Sequence, residues 1–397
     1  MRDRQARLAT FGAFGIQGLC FASLVTRVPQ IQDAHGLSDA DLAIVLLLVP
    51  VIAGVGSTLS GLLFTRYGSA VVLRVAQPAV CVAAVLIGLT GGELLPLYGA
   101  VALFGLFVGA VDASMNAQAV AVERHEQRSV ISGFYAVWSV AGIAGGLWAS
   151  FANSQDMSLF TGFVIPSALG VAGALALGPF LYRRREEAGG PSAEEIKAAA
   201  KRVPWRPILL VGIAMGSFYI ADAAISNYSA KYLEDELAAS ATVAPLAYVA
   251  YQVAMVLSRS IADFGVRSFG PVLVVRIGAV VGFLGMLGVI IAPNALLAIA
   301  AVTVMGLGVC VVAPIAFSAA DRVDGTGLGI AVSRVNLFNY VGFVLGAGII
   351  GAFASADGDS NLRLAFTIPA GLILLIVLLA PSFSPKTPAG AAEPSPA

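Results

Sequence analysis

"GAVALFGLFVGAVDASMNAQAVAV", residues 99–122, contains a single charged side chain, Asp112, in a run long enough to cross a bilayer. Crossing the hydrocarbon core takes about 20 apolar residues in a helix. Similar runs fill the chain, which is 58% hydrophobic and 12% charged, whereas an ordinary soluble domain is about 25% charged. Because a water-soluble fold cannot hide so much apolar surface, the composition predicts a polytopic membrane protein.

Twelve such runs follow one another, with mostly short turns between them. Their centres lie near residues 18, 52, 80, 108, 140, 170, 219, 250, 281, 306, 340 and 372. The one long polar interruption divides them six and six. We therefore expect a six-helix bundle over 1–182, a cytoplasmic linker over 183–206, a second six-helix bundle over 207–383 and a disordered cytoplasmic tail over 384–397.

The orientation follows from the positive charges, because Lys and Arg resist translocation. With the N-terminus inside, almost all Lys and Arg near the span ends are cytoplasmic, and only Arg27, Lys231 and Arg363 lie outside. We expect a multi-pass protein of the cytoplasmic (inner) membrane with both termini in the cytoplasm.

The two halves of the chain resemble each other at an offset of about 200 residues. "ISGFYAVWSVAGIAGGLWASFA" from residue 131 aligns with "IAVSRVNLFNYVGFVLGAGIIGAFA" from residue 330, with Gly142 opposite Gly342 and Gly146 opposite Gly346. Repeated halves are a recurrent transporter design that places the substrate site at the midplane between them. The sequence thus predicts an all-α fold of twelve transmembrane helices in two pseudo-symmetric six-helix bundles.

These features, with "GLLFTRYG" between spans 2 and 3, resemble the major facilitator superfamily. The family's loop motif is Gly, three residues, Asp, Arg, one residue, Gly. Gly61, Arg66 and Gly68 match it, but Thr65 replaces the Asp, which weakens the charge relay that locks the outward-facing state in the family. A degenerate second copy is "SRSIADFG" at the end of span 8. The resemblance implies a gating set, which is Gly61, Arg66, Gly68, Glu123, Arg259 and Asp263.

A narrower resemblance lies in span 4, where "GAVDASMN" is similar to the pattern of fucose-permease-like transporters: Gly, two residues, an acid, three residues, Asn. "TRVPQIQ" after span 1 and "FYAVWSVAG" in span 5 also fit that branch. In those permeases the span-4 acid is implicated in proton coupling, and a second acid lies late in span 1. Here "FASLVTRVPQ" supplies no acid at that second position.

Two acids lie deep in predicted spans. A carboxylate at the bilayer centre costs several kcal/mol, so Asp112 should face a cavity or a partner. Asn116 follows one turn later on the same face. We expect a proton-coupling role for Asp112; the structural alternative is an internal ion pair or a capped helix contact that holds the bundle together. For Asp222 of span 7, which lies near Tyr219 and Asn227, substrate contact, a structural hydrogen bond and a second titrating site all stay open.

Span 11 contains Arg334, Asn336 and Asn339. A guanidinium at that depth needs a carboxylate or an anionic ligand, unless it snorkels to the cytoplasmic surface. Amides and aromatic rings of spans 1, 5 and 8 complete the expected lining, because sugar-type sites combine both. The predicted substrate-binding set is Gln17, Asn116, Tyr135, Trp138, Tyr219, Asn227, Tyr251, Gln252, Arg334, Asn336 and Asn339.

Other classes of function lack support in the sequence. The two histidines fall in loops on opposite sides of the membrane, so no zinc triad or serine hydrolase site is expected. A phosphate-binding loop is missing, and the balance of 23 basic and 23 acidic residues predicts no nucleic-acid partner. We expect a monomer in the bilayer, not an enzyme, without cofactor or metal, that moves a small polar solute by alternating access with protons. The alternatives are a proton-antiport exporter of a drug or metabolite, and a non-transporting receptor or scaffold.

Overall fold

The computed structural model describes residues 1–126, 130–187, 193–324, 330–354 and 361–384, and within these ranges it contains helices and no strand. The long helices are α1 (Arg2–Val25), α2 (Asp39–Tyr67), α3 (Ser69–Gly88), α4 (Leu94–Glu126), α5 (Ile131–Ser154), α6 (Leu159–Leu177), α7 (Trp205–Leu237), α8 (Leu246–Phe269), α9 (Pro271–Ile291), α10 (Ala295–Val309 and Val312–Asp324), α11 (Ile330–Ala354) and α12 (Leu362–Ala365 and Thr367–Leu379). Short helices are Val28–His35, Arg184–Glu187, Ala193–Ala200 and the 3-10 turns Gly178–Phe180 and Ala380–Phe383.

In the described part of the chain, 11 helices are long and apolar enough to cross a membrane. The remaining long helix, α8, packs among them against α5 and α10. It buries Tyr251 and Gln252 inside the protein. The predicted all-α fold of twelve helices is confirmed.

Glycines set the helix spacing in the same way in both halves. In the first half, a Cβ on Gly145 of α5 would lie 2.7 Å from the Leu19 carbonyl of α1. In the second, a Cβ on Gly342 of α11 would lie 2.8 Å from the Gly216 carbonyl of α7. Because both distances are below van der Waals contact, each helix pair packs backbone against backbone. The helix pairs α1–α5 and α7–α11 thus pack alike, although the aligned glycines differ: Gly142 and Gly146 face α8, whereas Gly342 and Gly346 face α7.

Both ends of the described chain lie beside the linker. Arg2 donates to the Glu186 carboxylate at 2.8 Å. The Phe383 carbonyl accepts from Arg322 at the end of α10, and α11 begins next to that end, because Asp324 accepts from the Ala331 amide. We call this side of the bundle the linker side and the opposite side the far side.

Polar contacts between the two halves cluster on the far side. Ser150 of α5 donates to the Thr242 carbonyl at 2.6 Å. Gln30, in the short helix after α1, donates to Glu234 of α7 at 3.0 Å. Lys231 of α7 is paired with Asp39 of α2 at 2.9 Å. The halves are therefore joined where the helices are most distant from the linker.

Candidate functional site

The midplane between the halves contains a group of polar side chains that we call the central cluster. Its members are Asp112 and Asn116 of α4, Tyr135 of α5, Tyr219 and Asp222 of α7, Tyr251 and Arg259 of α8, and Tyr340 of α11. All but Tyr340 were singled out from the sequence. Both halves contribute, as expected for a site at the interface of two repeats.

Asp112 lies on the first-half side of the cluster. Its side chain is partly buried, and it interacts electrostatically with Tyr135 and Tyr340. Asn116, one turn further along α4, accepts from the Tyr135 hydroxyl at 2.9 Å and donates to the Asp112 backbone carbonyl at 2.9 Å. Among the described residues, no hydrogen bond or ion pair engages the Asp112 carboxylate. The acid is therefore available to a proton or a ligand.

Asp222 lies on the second-half side and is held more firmly. Its side chain is 6% exposed, and its Oδ1 accepts from the Tyr251 hydroxyl at 2.6 Å. The same hydroxyl contacts the Cys310 sulfur at 3.9 Å. One turn earlier, Tyr219 packs against Phe343 of α11 with ring centroids 5.4 Å apart. Of the roles considered for Asp222, the structural hydrogen bond is present, and the other two stay open.

Arg259 lies almost three turns before the end of α8, inside the bundle. Its guanidinium interacts electrostatically with Tyr219 and Asp222 of α7. It also interacts with Tyr135 of the other half. From the sequence we expected Arg259 at the end of span 8, as part of the gating set. The structure instead directs it to the centre, because the turn between α8 and α9 lies at Gly270, five residues after the Gly265 of the supposed second motif.

An open cavity connects the cluster to the linker side. Its volume is about 440 Å³. The residues that line it are Ala113, Asn116, Ala117, Val120, Ala121 and Arg124 of α4, together with Glu187 of the linker. Of the central cluster, Asn116 lines the cavity, and Ala113, which also lines it, is the next residue after Asp112 in the chain.

Arg334 is not part of the cluster. Its Nη1 donates to the Val203 carbonyl at 2.7 Å and its Nη2 to the Ala200 carbonyl at 2.6 Å. The guanidinium also stacks on Trp205, 4.1 Å from the ring centroid. Arg334 thus holds the linker against the second half. The side chain therefore reaches towards the linker side, as in the snorkelling alternative. It does not pair with Asp112.

The remaining predicted lining residues are in helix contacts around the cluster. Gln252 donates to the Tyr248 hydroxyl at 2.7 Å and lies 2.9 Å from a Cβ built on Gly142. Trp138 packs near Phe21 of α1. Gln17 and Asn227 are buried, and Asn339 donates weakly to Asn336 at 3.4 Å.

The loop motif between α2 and α3 forms a tight turn. Gly68 has a φ of 83°, and a Cβ there would lie 2.8 Å from the Arg184 Cβ of the linker. The Arg66 guanidinium contacts the Tyr67 ring, and the Arg66 backbone carbonyl accepts a hydrogen bond from Arg184. A Cβ on Gly61 would meet open space. Glu123 accepts from the Val130 amide at 3.0 Å and so caps α5. The side chain of Asp263 is outside the described residues, as is the tail from 385.

Sequence reasoning missed a polar clamp on the linker side. The Glu187 carboxylate accepts from the Ser69 and Ala70 amides at the start of α3, at 3.0 and 3.3 Å, where the helix dipole favours a negative charge. Gln118, fully buried, donates to Glu187 at 2.8 Å. Nearby, the Arg2 guanidinium lowers the pKa of the Glu186 carboxyl to about 2. A glutamine in the apolar stretch of span 4 was the only signal for this clamp.

A second group of polar side chains that the sequence did not predict surrounds Lys231 on the far side. Lys231, 4% exposed, donates to Gln32 at 2.8 Å and is paired with Asp39 at 2.9 Å and with Asp235 at 2.5 Å. A lysine in a predicted span was its signal. Within the described ranges, no group of three or more His, Cys, Asp and Glu is placed to hold a metal ion.

Comparison with known proteins agrees with this architecture. Residues 9–323 and 211–397 match the family model of the Major Facilitator Superfamily. The uncharacterized transporter y4wD of Sinorhizobium fredii (strain NBRC 101917 / NGR234) is 29% identical over 369 residues, which cover 93% of this chain and 95% of that protein.

Solved structures show the same fold. The nucleoside transporter NupG is similar with a TM-score of 0.74 and 13% identity, over 96% of this chain and 98% of that chain. The transporter FucP, solved in the outward conformation, is similar with a TM-score of 0.64 and 15% identity, over 95% of this chain and 98% of that chain. The family match and the transporter relative identify the chain as a membrane transporter and not an enzyme. The chain belongs to the Major Facilitator Superfamily.

Proposed function

We propose that this protein is a secondary active transporter that moves a small polar solute by alternating access and couples the movement to protons through Asp112. The observation that carries the proposal is the Asp112 carboxylate, which has no hydrogen bond or ion pair among the described residues. It lies one helical turn before Asn116, which lines a cavity open to the linker side. A carboxyl group without a protein partner in the bilayer interior is costly unless it takes up a proton or meets a ligand.

The contacts between the halves support alternating access. They join the halves at the far side, through Ser150 and Lys231, while the face of α4 from Ala113 to Arg124 borders open space. If the linker is cytoplasmic, as the distribution of Lys and Arg predicts, this is an inward-facing state. We place the protein in the cytoplasmic membrane as a monomer with both termini inside.

Transport in proteoliposomes tests the coupling. A thermal-shift screen of sugars, organic acids and antibiotics first supplies a ligand, because a ligand stabilises the state that binds it. We expect Asp112→Asn to abolish accumulation driven by a proton gradient, since an amide cannot carry a proton. Counterflow, which needs no net proton movement, should persist at a measurable rate.

The matched control is Glu93→Gln, an exposed carboxyl before α4 that is far from the cluster. It should retain proton-driven accumulation. Normal uphill transport by Asp112→Asn would reject the coupling role. A proton gradient imposed in each direction in turn distinguishes symport from antiport export.

A further inference from the structure

Arg259 is the unexplained charge of the central cluster. Its Nη1 is buried without a hydrogen-bond partner. Among the described residues, no hydrogen bond or ion pair engages any part of its guanidinium. An arginine has five N–H donors in a fixed planar arrangement and stays charged in proteins. A buried charge of this kind is costly unless an anion or several hydrogen-bond acceptors compensate it.

Neither neighbouring acid forms a hydrogen bond or an ion pair with Arg259 within the described residues. Asp222 is near enough to interact electrostatically with Arg259, but its hydrogen bond is with the Tyr251 hydroxyl at 2.6 Å. Asp112 interacts with Tyr135 and Tyr340 instead. The second arginine of this half that lies in a predicted span, Arg334, is used by the linker. The cation is therefore available to something from outside the chain.

The surroundings of Arg259 suit an organic ligand. Tyr135 of the first half and Tyr219 of the second interact with it electrostatically and with each other. The Tyr135 hydroxyl is held by Asn116 at 2.9 Å, and Asn116 lines the open cavity. Ring faces and hydroxyl groups beside a free guanidinium bind a molecule with a polar or apolar body and one anionic group.

We propose that the transported solute is a small organic acid whose carboxylate pairs with Arg259, while Tyr135 and Tyr219 contact the rest of the molecule. This assignment rests on the proposed function and names the substrate class of that site. It also gives Arg259 a role in substrate binding in place of the gating role expected from the sequence. One carboxylate carried with one proton moves no net charge across the low-dielectric interior.

Three matched pairs of an acid and its uncharged analogue test the proposal: galacturonate and galactose, gluconate and sorbitol, lactate and lactamide. Thermal unfolding of the purified protein is measured with each compound, and with sulfate as the control for ionic strength. We expect at least one acid to raise the unfolding temperature above the effects of its analogue and of sulfate. In Arg259→Gln the affinity for that acid should fall at least about tenfold, as for the loss of a charge-assisted hydrogen bond.

The matched control is Arg276→Gln, an exposed arginine of α9, which should leave the affinity unchanged. The double variant Asp222→Asn/Arg259→Gln removes both charges and tests whether Arg259 only balances Asp222. If the double variant regains affinity for the acid, the assignment is overturned. It is also overturned if Arg259→Gln binds the acid normally, if the analogues stabilise equally, or if no acid exceeds sulfate.

The two proposals fail separately. Proton-driven uptake of a neutral solute that depends on Asp112 would leave the proposed function intact and reject the organic acid. Binding of an acid that depends on Arg259, without flux in proteoliposomes, would support the binding site and reject the transport cycle.

Discussion

At the scale of single residues, polar groups in apolar helices divide into those that face a ligand path and those that hold the protein together. Asp112 and Arg259 have no hydrogen bond or ion pair within the described residues, whereas Asp222 has a firm hydrogen bond to Tyr251. Arg334 and Lys231 are fully engaged elsewhere. Burial of a polar residue alone does not indicate its role, because residues of both kinds are at least partly buried.

Arg334 provides a test of this division. Arg334→Gln removes two hydrogen bonds to linker carbonyls and the stacking on Trp205, so it should lower the free energy of unfolding by about 1–3 kcal/mol. Ligand affinity should stay the same, because the side chain is remote from the central cluster. Thermal unfolding and a ligand titration of the same preparation measure both quantities. A large loss of ligand affinity with unchanged stability would contradict this prediction and show that Arg334 binds the ligand.

At the scale of the helices, close packing depends on where a glycine lies within the helix. A Cβ on Gly109 of α4 would overlap the Ala53 carbonyl of α2, whereas a Cβ on Gly99 of the same helix would meet nothing within 4 Å. Helix pairs in membranes gain stability from such backbone contacts. The two glycines are therefore unequal, although the sequence around both is apolar.

Gly109→Val should destabilise the protein by about 1–3 kcal/mol, since the added side chain forces α2 and α4 apart. Gly99→Val in the same helix should have little effect and is the matched control. The measurement is the thermal unfolding temperature, together with the yield of monodisperse protein after purification. An equal decrease of the unfolding temperature in both variants would contradict the prediction, because it would show that valine destabilises α4 for a reason other than its packing on α2.

At the scale of the whole molecule, the far-side ion pair between Lys231 and Asp39 must break if the protein alternates. Lys231 of the second half contacts Gln32 and Asp39 of the first half, and it is buried by the closure. Removal of one partner from a buried ion pair is costly, because the other charge is left uncompensated. The closed far side should therefore depend on this lysine.

Lys231→Gln should increase opening of the far side. The reporter is Leu47→Cys, placed where Gly348 of α11 packs on α2, and the measurement is its labelling rate with a membrane-impermeant maleimide. We expect labelling several-fold faster with Lys231→Gln than with Lys231→Arg, which keeps the charge and is the matched control. The native cysteines are buried and provide the background. Equal labelling rates would show that the charge of Lys231 does not hold the far side closed.

The sequence by itself determined the fold class, the helix number and the repeat of the halves, because apolar runs, charge distribution and glycine spacing are local properties of the chain. It also located Asp112, Asn116, Tyr135 and Asp222, since a polar residue in an apolar run is visible without a structure.

Only the tertiary structure decided which side chains meet. The sequence assigns Arg259 to the gating set at the end of span 8 and Arg334 to the substrate site, yet the structure puts Arg259 at the centre and directs Arg334 to the linker. The clamp of Gln118 and Glu187 likewise joins residues distant in the chain. The direction of a side chain depends on where its helix ends and on how neighbouring helices rotate against it. Those quantities are set by packing between helices, so the order of residues within one helix does not contain them.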